Sequence, residues 1–127
     1  MSSYLDQVRN NLVSICNELL DAKVDIRIAI IAHGDYCDTG NVLRTLDFTS
    51  QRSKLTNFIN SKCGETGGGD APECYEYALY AARRNLSWRK DVNRAVVIIG
   101  DDNPHPPSYN LNTNNIDWRV EANALAD

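Results

Sequence analysis

Asp70, Glu73 and Asp101 are the residues whose type and setting suit metal chemistry. Asp70 and Glu73 close the glycine-rich segment Gly67-Gly68-Gly69-Asp70-Ala71-Pro72-Glu73, and Asp101 opens Asp101-Asp102-Asn103-Pro104-His105. Carboxylates brought together repel unless hydrogen bonds or a cation neutralise them, and oxygen donors suit magnesium, manganese or calcium. The same residues also have plain structural roles. Asp70 can cap a helix with Glu73 completing an acidic capping box and Pro72 in the first turn, and Asp101 can be an ordinary turn residue. His33 and His105 stand in polar loops as candidate ligands or acid/base groups. With Glu73 and Asp101 they define the enzyme alternative, a metal-assisted hydrolysis with a histidine base. Gly67-Gly68-Gly69 lacks the Gly-Lys-Ser/Thr of a phosphate-binding loop, and no GxSxG presents a serine nucleophile.

These residues need elements to position them. Leu5, Val8, Leu12, Ile15 and Leu19 recur at three-and-four spacing and predict a helix over 3–20, with Ser3 and Asp6 at its start and Cys16 as a buried thiol. The isoleucine-rich run 25–32 predicts a buried strand, and 42–48 a more polar edge strand. Ser50 is placed to cap a helix to about 60, with Leu55, Phe58 and Ile59 inward. A third helix is expected over 72–86 with Tyr75, Ala78, Leu79 and Ala82 inward, then a buried strand over 94–100. A last helix runs over 117–126 and carries Trp118, Val120, Ala124 and Leu125. Trp88 and Trp118 read as anchors at helix boundaries, and Arg83-Arg84 and Arg89-Lys90 as solvated helix ends. Helices alternating with apolar strands make an α/β layer arrangement. In open folds of that kind ligands sit beyond the carboxyl ends of strands, where 33–38, 67–73 and 100–105 would lie.

Composition limits the partners. The chain has 127 residues, 43% of them hydrophobic and 24% charged, with a formal net charge of -4. That is a single soluble domain over 1–127, with no electrostatic footprint for nucleic acid. No run approaches the roughly 18 apolar residues of a membrane span, and the start resembles no signal peptide. A non-secreted, cytoplasmic protein is expected. Cys16, Cys37, Cys63 and Cys74 form no CxxC pair, so neither a zinc site nor a redox centre is indicated, and a disulfide among the last three stays open.

In combination these segments resemble a von Willebrand factor type A (vWA) domain. The similar features are Tyr4-Leu5-Asp6-Gln7-Val8-Arg9, the strand and loop 28–36, Gly67 to Glu73 as quoted above, Leu86-Ser87-Trp88-Arg89, and Ile98-Ile99-Gly100-Asp101 followed by Pro104-His105. The resemblance covers nearly the whole chain. It implies a Rossmann-like, doubly wound α/β sheet flanked by helices and a protein-binding role through a magnesium or manganese ion at the upper sheet edge. Asp101 would take the carboxylate position after the fourth strand and Glu73 the second-loop position, with Asp70 as a further ligand or a loop-orienting group. Asp35, Tyr36 and His105 would face the partner, a second protein or another copy of the chain. The family's Asp-x-Ser/Thr-x-Ser motif is absent, because the sequence begins at Met1-Ser2-Ser3-Tyr4. On this resemblance the domain is truncated at both ends, without its first central strand and its last strands. The expected function is then a non-catalytic binding or scaffolding module with a vestigial ion site. The alternative is a metal-independent structural fragment completed by another chain.

Overall fold

The computed structural model describes residues 2–22, 25–33, 43–63, 74–99 and 104–126, with side chains described from residue 7 onward. Among the described residues, four helices and two strands follow in the order α1 (Ser2–Asp21), β1 (Ile28–His33), β2 (Leu43–Thr49), α2 (Arg52–Lys62), α3 (Tyr75–Asn85) and α4 (Trp118–Ala126). The architecture is mixed α/β. Its sheet is a two-stranded antiparallel pair in which Ile30 faces Leu46, Ile31 faces Thr45 and His33 faces Leu43, with a register irregularity between Ile28 and Ile30. No parallel pair occurs among the described residues, so by themselves they do not establish a doubly wound sheet.

The core lies between α1, α2 and one face of the hairpin. Cys16, Leu55 and Ile59 are buried there, and Leu12, Val13, Leu20, Ile28, Ile30, Leu46 and Cys63 pack around them. Leu55, Ile59 and Cys63 recur every four residues, so they form one stripe of α2 directed at α1. Arg52 at the start of α2 donates to Asn17 and Asp21 at the end of α1, which sets the two helices antiparallel. Successive strand residues point to opposite faces. Ile30 accordingly meets the α1–α2 layer, whereas the His33 ring meets Tyr75 of α3. With helices on both sides, β1 is apolar along nearly its whole length because both of its faces need covering.

Four expectations change. The α1 stripe is rotated, since Ile15 and Leu19 are exposed at 49% and 40% while Cys16 is buried. Helix starts also move. α1 already contains Ser3, the cap position of α2 is Gln51 rather than Ser50, and that of α3 is Cys74, whereas Asp70, Pro72 and Glu73 lie outside the described residues. The segment 94–99 makes no ladder among the described residues, and Val96 to Ile99 are all exposed. A strand needs a partner on at least one edge, and apolar composition alone does not provide one. Finally, Trp118 and Val120 face outward, and α4 instead buries Glu121.

That acid is answered by α3. Arg83 Nε donates to Glu121 Oε2 at 2.5 Å and Nη2 to Oε1 at 3.3 Å, a two-pronged pair that clamps α4 on α3. Glu121 raises the already high pKa of Arg83, first through this hydrogen bond. Between α3 and α4 the chain turns around Asn112, whose side chain donates to the carbonyls of Ile116 and Pro106 and accepts from the Ile116 amide. Asn115 takes a left-handed φ of 51°, which asparagine tolerates well. Trp88 behaves as the boundary anchor its position indicated: its ring N–H donates to the Ala82 carbonyl at 2.7 Å and its ring packs against Phe48 with centroids 4.8 Å apart and planes at 65°. Arg89 is no bystander either, because it binds both the carboxylate and the carbonyl of Asp25 just ahead of β1.

Candidate functional site

The first turn of α3 is the meeting point of three parts of the chain. Cys74, Tyr75 and Glu76 are buried there at 0%, 7% and 0% exposure. From β1, the His33 ring stands edge-on to Tyr75 with centroids 4.7 Å apart and planes at 82°. From the segment after 94–99, the His105 backbone N–H donates to Glu76 Oε1 at 2.8 Å. The His105 ring stacks on Tyr109 with centroids 3.9 Å apart. Glu76 also sits where a helix favours an acid, within its positive N-terminal turn.

His33 directly precedes 34–42, Cys74 follows 64–73, and Pro104 follows 100–103. The residues flanking these three polar segments are thus held against one helix terminus. Asp35, Tyr36, Asp70, Glu73 and Asp101, which carry the metal and partner readings, lie outside the described residues, as does Cys37. Among the described residues no three His, Cys, Asp or Glu side chains gather as a metal site. His105 is described and only 1% exposed, with its ring stacked on Tyr109.

Glu76 and Tyr109 are the members that the sequence reading missed. A glutamate in a helix's first turn was the available signal for Glu76, but Glu73 stood three residues earlier and drew the capping role. Nothing in the spacing of Tyr109 marks it as a ring partner of His105.

Among the described residues, Cys16 and Cys63 carry thiols that burial makes harder to ionise. Burial pushes the Cys16 thiol up, and burial pushes Cys63 up against the opposing pull of Arg44 and Arg9. An open polar cleft of about 370 Å³ lies between Asp91, Val92, Asn93, Arg94 and Ala126, and neither histidine of the hydrolase reading lines it.

One carboxylate links β2 to the turn after α3. Asp47 accepts from the Ser87 hydroxyl at 2.6 Å, the Ser87 amide at 2.9 Å and the Phe48 amide at 2.8 Å. These bonds, the Ser87 hydroxyl foremost, hold its pKa below the ordinary 3.8. A lowered folded-state value means that the stabilisation is complete above the ordinary pKa and is lost as pH falls through the folded one. Thermal unfolding followed from pH 5 downward is expected to show a shallower acid loss in Asp47→Asn than in the parent chain. Identical acid slopes would show that these bonds do not favour the charged form.

No described helix is long and apolar enough to cross a membrane. No family model matches the chain, and no curated protein or solved structure matches it either.

Proposed function

We propose that the chain is a non-catalytic protein-binding or scaffolding module of the vWA kind, carrying part of a doubly wound Rossmann-like fold and an incomplete metal-ion-dependent adhesion site. The observation that carries this reading is the gathering of His33, Tyr75, Glu76 and His105 at the first turn of α3. It supports a site assembled from the three polar segments that these residues flank. Asp101 and Glu73, with Asp70, would hold Mg2+ or Mn2+, and Asp35 and Tyr36 would meet the partner. Bound there, the cation would offer a coordination position to an acidic group of the partner protein. Three carboxylates are about half of the roughly six oxygens such ions take, so intrinsic binding is expected to be weak or absent.

Manganese titration followed by calorimetry tests this. The expected result is no saturable binding tighter than about 1 mM. Tight binding that disappears in Glu73→Ala or Asp101→Ala would overturn the incomplete-site reading. A metal-independent fragment completed by another chain is the second reading, and the exposure of 96–99 is the observation that favours it.

A further inference from the structure

Three apolar stripes enclose the core between α1, α2 and the hairpin, and each runs out on a polar or thiol side chain at the same end. On α1 the inward set is Val13, Cys16 and Leu20, and Arg9 stands four residues before Val13, which continues that stripe toward the helix start. On α2, Leu55 and Ile59 lead to Cys63. On β2, Leu46 packs into this core, and Arg44 stands two residues before it on the same face of the sheet, opposite Ala32. Because Arg52 ties the start of α2 to the end of α1, the last turn of α2 lies toward the first turns of α1. Arg9, Arg44 and Cys63 therefore close one end of the layer.

The electrostatics of this end agree with the stripes. Burial holds the Cys63 thiol above its ordinary pKa, while Arg44 and then Arg9 pull it down. A raised value keeps the thiol neutral near pH 7, so it sets no negative charge against an incoming anion. Among the described residues the ionic side chains that act on it are these two arginines and no acid. Arg44 is half-buried, and its Nε is buried with no hydrogen-bond partner among the described residues. A guanidinium keeps its proton and its charge at any ordinary pH, so a buried N–H of this kind calls for an acceptor. Apolar neighbours such as Leu46 and Ala32 cannot supply one.

We propose that this end of the core binds a phosphate oxyanion, free or carried on a small ester, with Arg44 donating through Nε and Arg9 adding its charge. A guanidinium presents parallel N–H groups that match two oxygens of such a group. A phosphate keeps a further oxygen for Arg9 after Arg44 has taken two, whereas a carboxylate has only the two. The site lies on the face of the hairpin opposite the α3 terminus, where His33 meets Tyr75. It needs neither the metal nor the protein partner proposed above.

Thermal unfolding in EDTA, at an ionic strength held constant with sodium chloride, tests the site apart from the metal. Inorganic phosphate and methyl phosphate are each expected to raise the midpoint of the parent chain in a saturable way, and acetate to raise it less. Arg44→Met keeps a stem in the core and removes the fork, and is expected to weaken phosphate binding at least about tenfold. Arg44→Lys keeps the charge as well as the stem, so it makes the same comparison with less disturbance of the fold, and is expected to bind between the two. A second readout is local. Alkylation of Cys63 by iodoacetamide, followed by peptide mass, is expected to slow in phosphate in the parent chain and not in Arg44→Met. No phosphate effect on the parent, an acetate effect as large as that of phosphate, or equal phosphate effects on the parent and both variants would each overturn the inference. Saturable manganese binding in a separate titration would overturn the incomplete-site reading and leave the phosphate site standing.

Discussion

Glu76→Ala is expected to destabilise the folded chain by about 3 kcal/mol, and Glu76→Gln by about 1 kcal/mol. Glu76 is fully buried, and its Oε1 accepts the backbone N–H of His105, itself 1% exposed. Removing the acceptor strands that N–H away from water, at a cost of about 1–3 kcal/mol, and the lost side-chain volume adds a cavity contribution. Glutamine keeps a carbonyl oxygen at nearly the same place and fills the same space, so most of the loss should be spared. The difference between the two variants therefore contains the lost acceptor and the lost packing together, and the smaller loss in Glu76→Gln reports the charge alone. Urea unfolding gives the free energies, and exchange of the His105 amide gives the local consequence, which should be faster in Glu76→Ala than in Glu76→Gln. Equal stabilities for both variants and the parent would mean that the contact does not hold 104–105 on α3.

Several elements were legible because their cause is local. β1 and β2 follow from the isoleucine-rich run and the alternating one after it, and lie within about three residues of their expected limits. α4 begins one residue after its expected start, and the burial of Cys16 follows from its place near the apolar stripe. What failed depends on neighbours distant in sequence. The run 94–99 has the composition of a covered strand, but covering is a property of the rest of the sheet, and no ladder partner stands beside it among the described residues. Arg83 and Arg89 looked like solvated cations because Glu121 and Asp25 lie 38 and 64 positions away. Helix caps were misplaced by one to several residues, since Gln51 and Cys74 occupy those positions without a side-chain cap bond. For the site, sequence identified polar segments but not the side chains that hold their flanks. Glu76 and Tyr75 act through contacts with His105 and His33, which no spacing rule relates to them.

The rotation of α1 leads to the second large effect. The expected stripe of Leu5, Val8, Leu12, Ile15 and Leu19 and the observed inward set of Leu12, Val13, Cys16 and Leu20 differ in direction by roughly 75° at 100° per residue. Periodicity gives the width of an apolar face, and the helix packed against it decides which edge of that face is covered. Here α2 decides, because Leu55 and Ile59 meet α1 on the Cys16 side. Ile59→Ala, at a position 0% exposed, is expected to cost about 3–4 kcal/mol through lost burial and the cavity left between the helices. Ile15→Ala, at a position 49% exposed within the expected stripe, is expected to cost under about 1 kcal/mol, since little area returns to water and alanine favours the helix. Denaturant midpoints of the two variants at unchanged slope provide the comparison. If Ile15→Ala were the more damaging of the two, the stripe read from sequence would be the packed one, and the Cys16 side of α1 would have to face solvent.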